Sequence, residues 1–333
     1  MTYCTPYLLQ LGLTKSKVSL VWIAGPLSGL IMQPIVGIIA DQSRSRWGRR
    51  RPYMVGGTVV VTLSLMLLGW TSEFVNVFFP ASKIETRREL TVMLAVFSIY
   101  GVDFAINAVQ ALARSLIIDT LPRNKQQVGS AWALRMVAVG SLIGYAVGAI
   151  DLATVFGTTL GNTQFKQLII TSALALIACV SLTCWAVHEP ALARSPSKGT
   201  SADTLSIGSM MSQIVRTAQR LPSRISVICR ITFCSWIEWF SFLFYSTTWI
   251  GEVYLRYNAP AKAREHRDSL GQIGRVGSMA LITFSVVTFA ASVLLPWLVE
   301  SPEDAEEFTP RPSRRVRGAL LEMRKWKPSL LTA

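Results

Sequence analysis

Charge is scarce in this sequence, and histidine is scarcer. Asp, Glu, Lys and Arg supply 16% of the 333 residues, against about 25% in an ordinary soluble domain, which argues against a water-facing globule. Two histidines, His188 and His266, both outside the long apolar runs, offer no histidine metal site and no histidine-based nucleophile triad. The five cysteines, Cys4, Cys179, Cys184, Cys229 and Cys234, show no C-x-x-C spacing. That excludes a zinc or dithiol motif and leaves small buried hydrophobes as their reading. No glycine-rich phosphate loop is present, and Met1 to Gln10 lacks the basic opening of a signal peptide. Neither a cofactor nor a metal is expected.

What is abundant is apolar surface. Hydrophobic residues make up 51% of the chain and the mean hydropathy is +0.40, a composition incompatible with disorder, a collagen-like repeat or a disulfide-stapled secreted scaffold. Residues 18–40, 52–72, 167–187 and 276–299 carry no charge, and each run meets the ~20 residues needed to cross ~30 Å of hydrocarbon. Three further runs are long enough but hold ionisable residues: 90–118 with Asp103 and Arg114, 126–150 with Arg135, and 231–251 with Glu238. Met1 to Thr14 is apolar but reaches about two-thirds of a crossing and reads as a truncated first span. The fold class is therefore an all-α integral membrane bundle. The surplus of 33 Lys and Arg over 19 Asp and Glu lies almost wholly between the spans. It points to a bilayer surface; no groove-reading motif supports a nucleic acid partner.

With eight segments, the stretches 41–51, 119–126, 188–226 and 300–333 share one side and hold 19 Lys and Arg, against 11 on the other. The richer side is expected to be cytoplasmic. Arg256, Lys262, Arg264, Arg267 and Arg275 then face outward, against the trend. The linker from Glu189 to about Ser226 is rich in Ser, Arg and Pro and separates six spans from two.

An ionisable side chain at membrane depth costs at least ~2.5 kcal/mol on insertion scales, so it is expected to be paired, inward-facing and functional. On a helix, Asp103, Asn107, Gln110 and Arg114 fall on one face. The alternatives are an inter-helical bonding ladder or a site whose carboxylate, amides and guanidinium match sugar hydroxyls while the acid carries a proton. Arg135 is placed to pair with Asp103 or Glu238. Glu238 lies among Trp236, Trp239, Phe240, Phe242 and Phe244, with Tyr245 seven positions on. An acid among aromatics suits sugar rings, and an aromatic belt is the competing reading. Gly140, Gly144 and Gly148 repeat every four residues, which fits close helix packing. An intramembrane aspartyl protease is excluded, because Asp103 and Asp119 share one helix with a rise of about 24 Å between them.

The stretch GPLSGLIMQPIVGIIADQSRSRWGRRRPYM, residues 25–54, resembles the sucrose-transporter branch of the major facilitator superfamily. Gly37, Asp41, Gly48, Arg49 and Arg50 occupy the positions of its signature loop. DFAINAVQALARSLIID, residues 103–119, is similar to the fourth helix of that branch, SLIGYAVGA to the fifth and FSFLFYSTTWIGEVY to the seventh. Tyr245 to Glu252 looks more like fungal α-glucoside carriers than plant sucrose carriers.

The resemblance implies a helical bundle with about eight of twelve transmembrane helices. Its implied parts are a six-helix half at 1–187, a cytoplasmic linker at 188–226, two helices of a second half at 227–299, and a charged loop at 300–333. It implies proton-coupled symport of a disaccharide, sucrose or a maltose-type α-glucoside, rather than an enzyme. The alternative is a non-transporting truncated remnant or sugar sensor. Proton coupling falls to Asp103, Arg114 and Glu238, and sugar binding to Asn107, Gln110, Arg114, Arg135, Trp239 and Tyr245. The cytoplasmic gating motif comprises Gly37, Asp41, Gly48, Arg49, Arg50 and Asp119. The expected partners are sugar, proton and bilayer, in the plasma membrane or else the vacuolar one. The ends are expected to reflect a fragment or a truncated gene model.

Overall fold

The computed structural model describes residues 3–43, 45–79, 84–122, 125–157, 161–187, 189, 221–257 and 269–294, with positions 212, 216 and 219. The expected loop at 300–333, both histidines and most of the expected linker lie outside the described residues. Eleven helices of five residues or more and no strand occur among the described residues: α1 Cys4–Gln10, α2 Lys15–Val21, α3 Ala24–Asp41, α4 Arg51–Gly69, α5 Thr71–Phe78, α6 Ile84–Thr120, α7 Gln126–Ala149, α8 Leu152–Phe156, α9 Gln164–Ala186, α10 Ser223–Tyr257 and α11 Ser269–Leu294.

Seven segments are long and apolar enough to cross a membrane: Ser16–Asp41, Arg51–Gly69, Ile84–Thr120, Val128–Ala149, Gln164–Ala186, Ile225–Thr247 and Gly274–Leu294. They fall on the seven full crossings expected from hydropathy. The protein is a multi-pass membrane protein. Several hydroxyls within the spans are satisfied by their own helices: Thr58, Ser98, Thr171 and Thr288 each donate to the carbonyl four residues back. That removes the cost of a bare polar group in hydrocarbon.

Hydropathy predicts one uninterrupted helix over 18–40, but the backbone breaks between α2 and α3. Pro26 has no N–H to give the Trp22 carbonyl, and the Gly25 N–H bonds that oxygen instead at 3.3 Å. Elsewhere local chemistry sets the ends. Thr14 and Thr163 cap α2 and α9 by accepting from Lys17 and Lys166 N–H, and Pro52 opens α4.

α6 is the central post, packing along α3 and α4, while α4 also packs on α9. It feeds two buried clusters: Ala95 and Ile99 join Leu8, Trp22, Leu68, Phe165 and Ile169, and Ala108, Val109, Leu112 and Leu116 join Val36, Ala40, Met54 and Val180. α4 and α6 approach closely because each offers a glycine: a Cβ on Gly57 would lie 2.6 Å from Val109 Cγ2, and one on Gly101 2.7 Å from Ser64 Oγ. α7 packs mainly on α11, and α11 in turn on α10.

The connection after α7 is clamped from α9. Buried Gln164 donates to the Ile150 carbonyl at 2.8 Å and accepts from Leu152 N–H at 3.0 Å. Buried Gln167 donates to the carbonyls of Gly157 and Gly161.

Candidate functional site

The polar face of α6 divides into two parts. Asp103 is buried, only 6% exposed, and its Oδ2 is buried with no hydrogen-bond partner. One turn on, the Asn107 amide donates to its own helix at the Asp103 carbonyl (2.9 Å) and across to Ser28 Oγ on α3 (2.8 Å). Ser28, fully buried, passes the chain on to the Gly25 carbonyl at 2.8 Å. The Asn107 Oδ1 and Gln33 both reach toward Gly29, where the lack of a side chain leaves room for them.

Lower on the same helix, Gln110 and Arg114 are exposed, and Arg114 Nε turns back to the Gln110 carbonyl at 3.3 Å. Asp103 and Arg114 are separated by about 16 Å of helix rise, and no ion pair joins them among the described residues. A buried carboxylate oxygen without a donor favours a neutral acid, or a cation or donor supplied from outside.

Arg135 pairs with neither of the acids named for it. Its guanidinium lies over the Trp132 ring of its own helix, 5.0 Å from the centroid. Glu238 stands exposed on α10. Trp239 meets Phe242 and Phe284 edge-on at 5.4 and 5.8 Å, so this aromatic group is a seam between α10 and α11. Tyr245 bonds Ser19 on α2. Of the three glycines on α7, Gly148 packs against Ser278 of α11, while Gly140 and Gly144 meet nothing within 4 Å. Gly144, Ser141, Tyr145 and Ser278 instead help line a cavity of about 360 Å³ with Tyr3 and Cys4.

At the basic end the signature residues converge. Arg50 Nε donates to Asp119 Oδ2 at 2.6 Å and its Nη2 to Asp41 Oδ1 at 3.1 Å, while Arg49 Nη2 shares Asp119 Oδ2 at 2.8 Å. A fifth charge, missed in the sequence, completes this network. The side chain of Glu189, just beyond α9 and 1% exposed, accepts from the Arg50 backbone N–H at 2.9 Å and stands 3.9 Å from Arg49 Nε. Its signal was an acid closing the sixth span opposite the basic turn. Gly48 makes the fit possible, with φ of +107° and a Cβ position that would sit 2.4 Å from Glu189 Oε2. Gly37 touches nothing within 4 Å of its missing Cβ.

A sequence model of the family described as MFS/sugar transport protein matches residues 1–254. The chain belongs to that family. It is 38% identical over 305 residues to the general alpha-glucoside permease of Schizosaccharomyces pombe, covering 90% of this chain and 53% of the permease. It is 30% identical over 269 residues to the sucrose transport protein SUC4 of Arabidopsis thaliana, covering 76% and 51%. It is 27% identical over 317 residues to the sucrose transport protein SUT5 of Oryza sativa subsp. indica, covering 90% and 57%. The chain thus spans about half the length of the curated relatives it matches. These relatives are carriers by name, which agrees with the non-enzymatic expectation.

Proposed function

We propose that this chain belongs to a proton-coupled disaccharide symporter, with sucrose or a maltose-type α-glucoside as cargo and the basic end cytoplasmic in the plasma membrane. The observation that carries it is Asp103: a carboxylate mid-way along the longest helix, buried, with one oxygen lacking a donor. Such an acid binds a proton without a metal or second charge to hold it. Asn107 and Ser28 beside it supply amide and hydroxyl groups of the kind that pair with sugar hydroxyls. Membership of a sugar transport family, with an alpha-glucoside permease and sucrose carriers among the relatives, supports the cargo class.

In this reading residues 1–187 form the six-helix half, 188–226 the linker, 227–299 the start of a second half and 300–333 a cytoplasmic loop. The proton sits on Asp103. Arg114 and Gln110, exposed one to two turns below Asn107, meet the sugar on its way through, with Arg135, Trp239 and Tyr245 as further contacts. Glu238 is the secondary acid. A proton on one ligand site and sugar on another drive the same conformational change only if each prefers the same state.

The test is uptake of radiolabelled sucrose and maltose into proteoliposomes holding the chain, with and without an inward proton gradient. Asp103→Asn is expected to abolish gradient-driven accumulation while leaving sugar counterflow measurable. Undiminished uphill uptake by that variant sinks the proposal.

A further inference from the structure

The α10–α11 hairpin is not held evenly along its length. On α10, residues 225–239 are exposed at every position but Ser226, among them Phe233 at 71% and Ile237 at 65%. Thr247 and Gly251 further on are buried, and Tyr245 reaches Ser19 of α2. On α11, Gly274, Gly277, Ser278, Leu281 and Ser285 are buried, residues 286–290 are exposed, and 291–293 are half-buried again. The fully buried positions of the hairpin therefore concentrate at the end away from the Arg49–Arg50 network, while the first half of α10 is exposed.

That end is held by few parts. Arg275 at the start of α11 forms an ion pair with Asp151, just past the end of α7, both side chains being partly exposed. Tyr3 donates to the Gly148 carbonyl at 2.7 Å. Gly148 lets α7 and α11 meet, since a Cβ there would lie 3.3 Å from Ser278 Cβ. Directly beneath lies the 360 Å³ cavity whose walls include Tyr3, Gly148 and Ser278, within the lower range of ligand-sized pockets.

We propose that Asp151 and Arg275 are gating residues: their ion pair closes the α7–α11 seam over this cavity, and the pair is formed in this structure. The inference rests on the transport reading for its purpose, and on geometry alone for its existence. A half-exposed ion pair suits the task, because it shifts a two-state balance by only about fivefold. That is enough to favour closure and too little to prevent opening. The close packing of Tyr3, Gly148 and Ser278 supplies the fit, and the charges set the balance.

The test places cysteines at Gly148 and Ser278 in the full chain in membranes and follows oxidation by mass spectrometry of the joined peptides. Their Cβ separation is close to that of a disulfide. Rapid joining is expected. Asp151→Asn or Arg275→Gln is expected to slow it about fivefold, and the exchanged pair Asp151→Arg with Arg275→Asp to restore it, which loss of packing alone does not do. Oxidised protein is expected to lose sugar uptake at least tenfold and regain it with dithiothreitol. Failure of the cysteines to join, an unchanged rate in both single variants, no recovery in the exchanged pair, or full uptake by the joined protein each overturns the gate. If no variant moves sugar while the joining rate still follows the charges, the transport reading falls and the gate stands.

Discussion

Two long helices of this chain carry an acid within a membrane span, and the bundle treats them differently. Asp103 on α6 is packed between neighbours, with Asn107 and Ser28 forming a bonded bridge to α3. Glu238 on α10 looks out from a stretch with almost no buried position. The sequence named both for proton coupling, Asp103 more sharply, because the insertion cost of an acid depends on residue type and depth and says nothing of its neighbours. What separates them is the company of the helix. α6 is surrounded by α3 and α4 over its length, and those contacts convert a tolerated acid into one held in a dry, organised place.

Breaking that company at its strongest point is expected to have the largest effect. Arg50 is 6% exposed and links Asp41 on α3 to Asp119 on α6. Arg50→Ala leaves Arg49 alone to serve Asp119 and the half-exposed Asp41 and should cost about 3 kcal/mol for two charge-assisted bonds, read as a fall in thermal midpoint of the detergent-purified protein. Arg50→Lys should recover only part, since one ammonium cannot serve two carboxylates in a fork.

Asp103→Asn comes next and cuts the other way. Gradient-driven uptake should fall about a hundredfold, or about 2.7 kcal/mol in transition-state terms. The thermal midpoint should hold or rise, because a neutral amide replaces an acid with an unpartnered oxygen. A protein that unfolds instead would show that Asp103 is structural.

Asn107→Leu removes the bond to Ser28 and should cost about 1–3 kcal/mol, the penalty for a buried polar group losing its partner. A raised half-saturation for sugar beyond that loss, measured by counterflow, would bring Asn107 into the binding site itself. Glu238→Gln should do least, changing uptake less than about threefold and the midpoint within about 0.5 kcal/mol, the usual range for an exposed position. A collapse of proton coupling in this variant would reverse the comparison and move the proton to α10.

Hydropathy located the crossings well, because length and lack of charge are one-dimensional properties. The signature loop was legible through its resemblance to the family, which grouped Asp41, Arg49, Arg50 and Asp119, and the structure brings these charges together. Glu189 escaped because its one mark, an acid closing the sixth span, does not say which charges it meets. It joins the network only through the way α9 returns to the basic end. The α6 stripe was legible as a stripe, but its division into a buried upper part and an exposed lower part depends on the neighbouring helices, which no local pattern records. Arg135 shows the same limit, since its nearest attractive surface proved to be Trp132 one turn away. The break at Pro26 was written in the sequence and was outweighed by the unbroken apolar run around it.

The clamp by Gln164 has a mechanical corollary. By holding Ile150 and Leu152 it fixes the backbone on both sides of Asp151, so that carboxylate is a mooring post riding with α9 rather than a loose tether. Any widening between Asp151 and α11 must be taken up by α11 swinging its arginine away, and the stiffness of one glutamine's two bonds would determine which partner does the travelling.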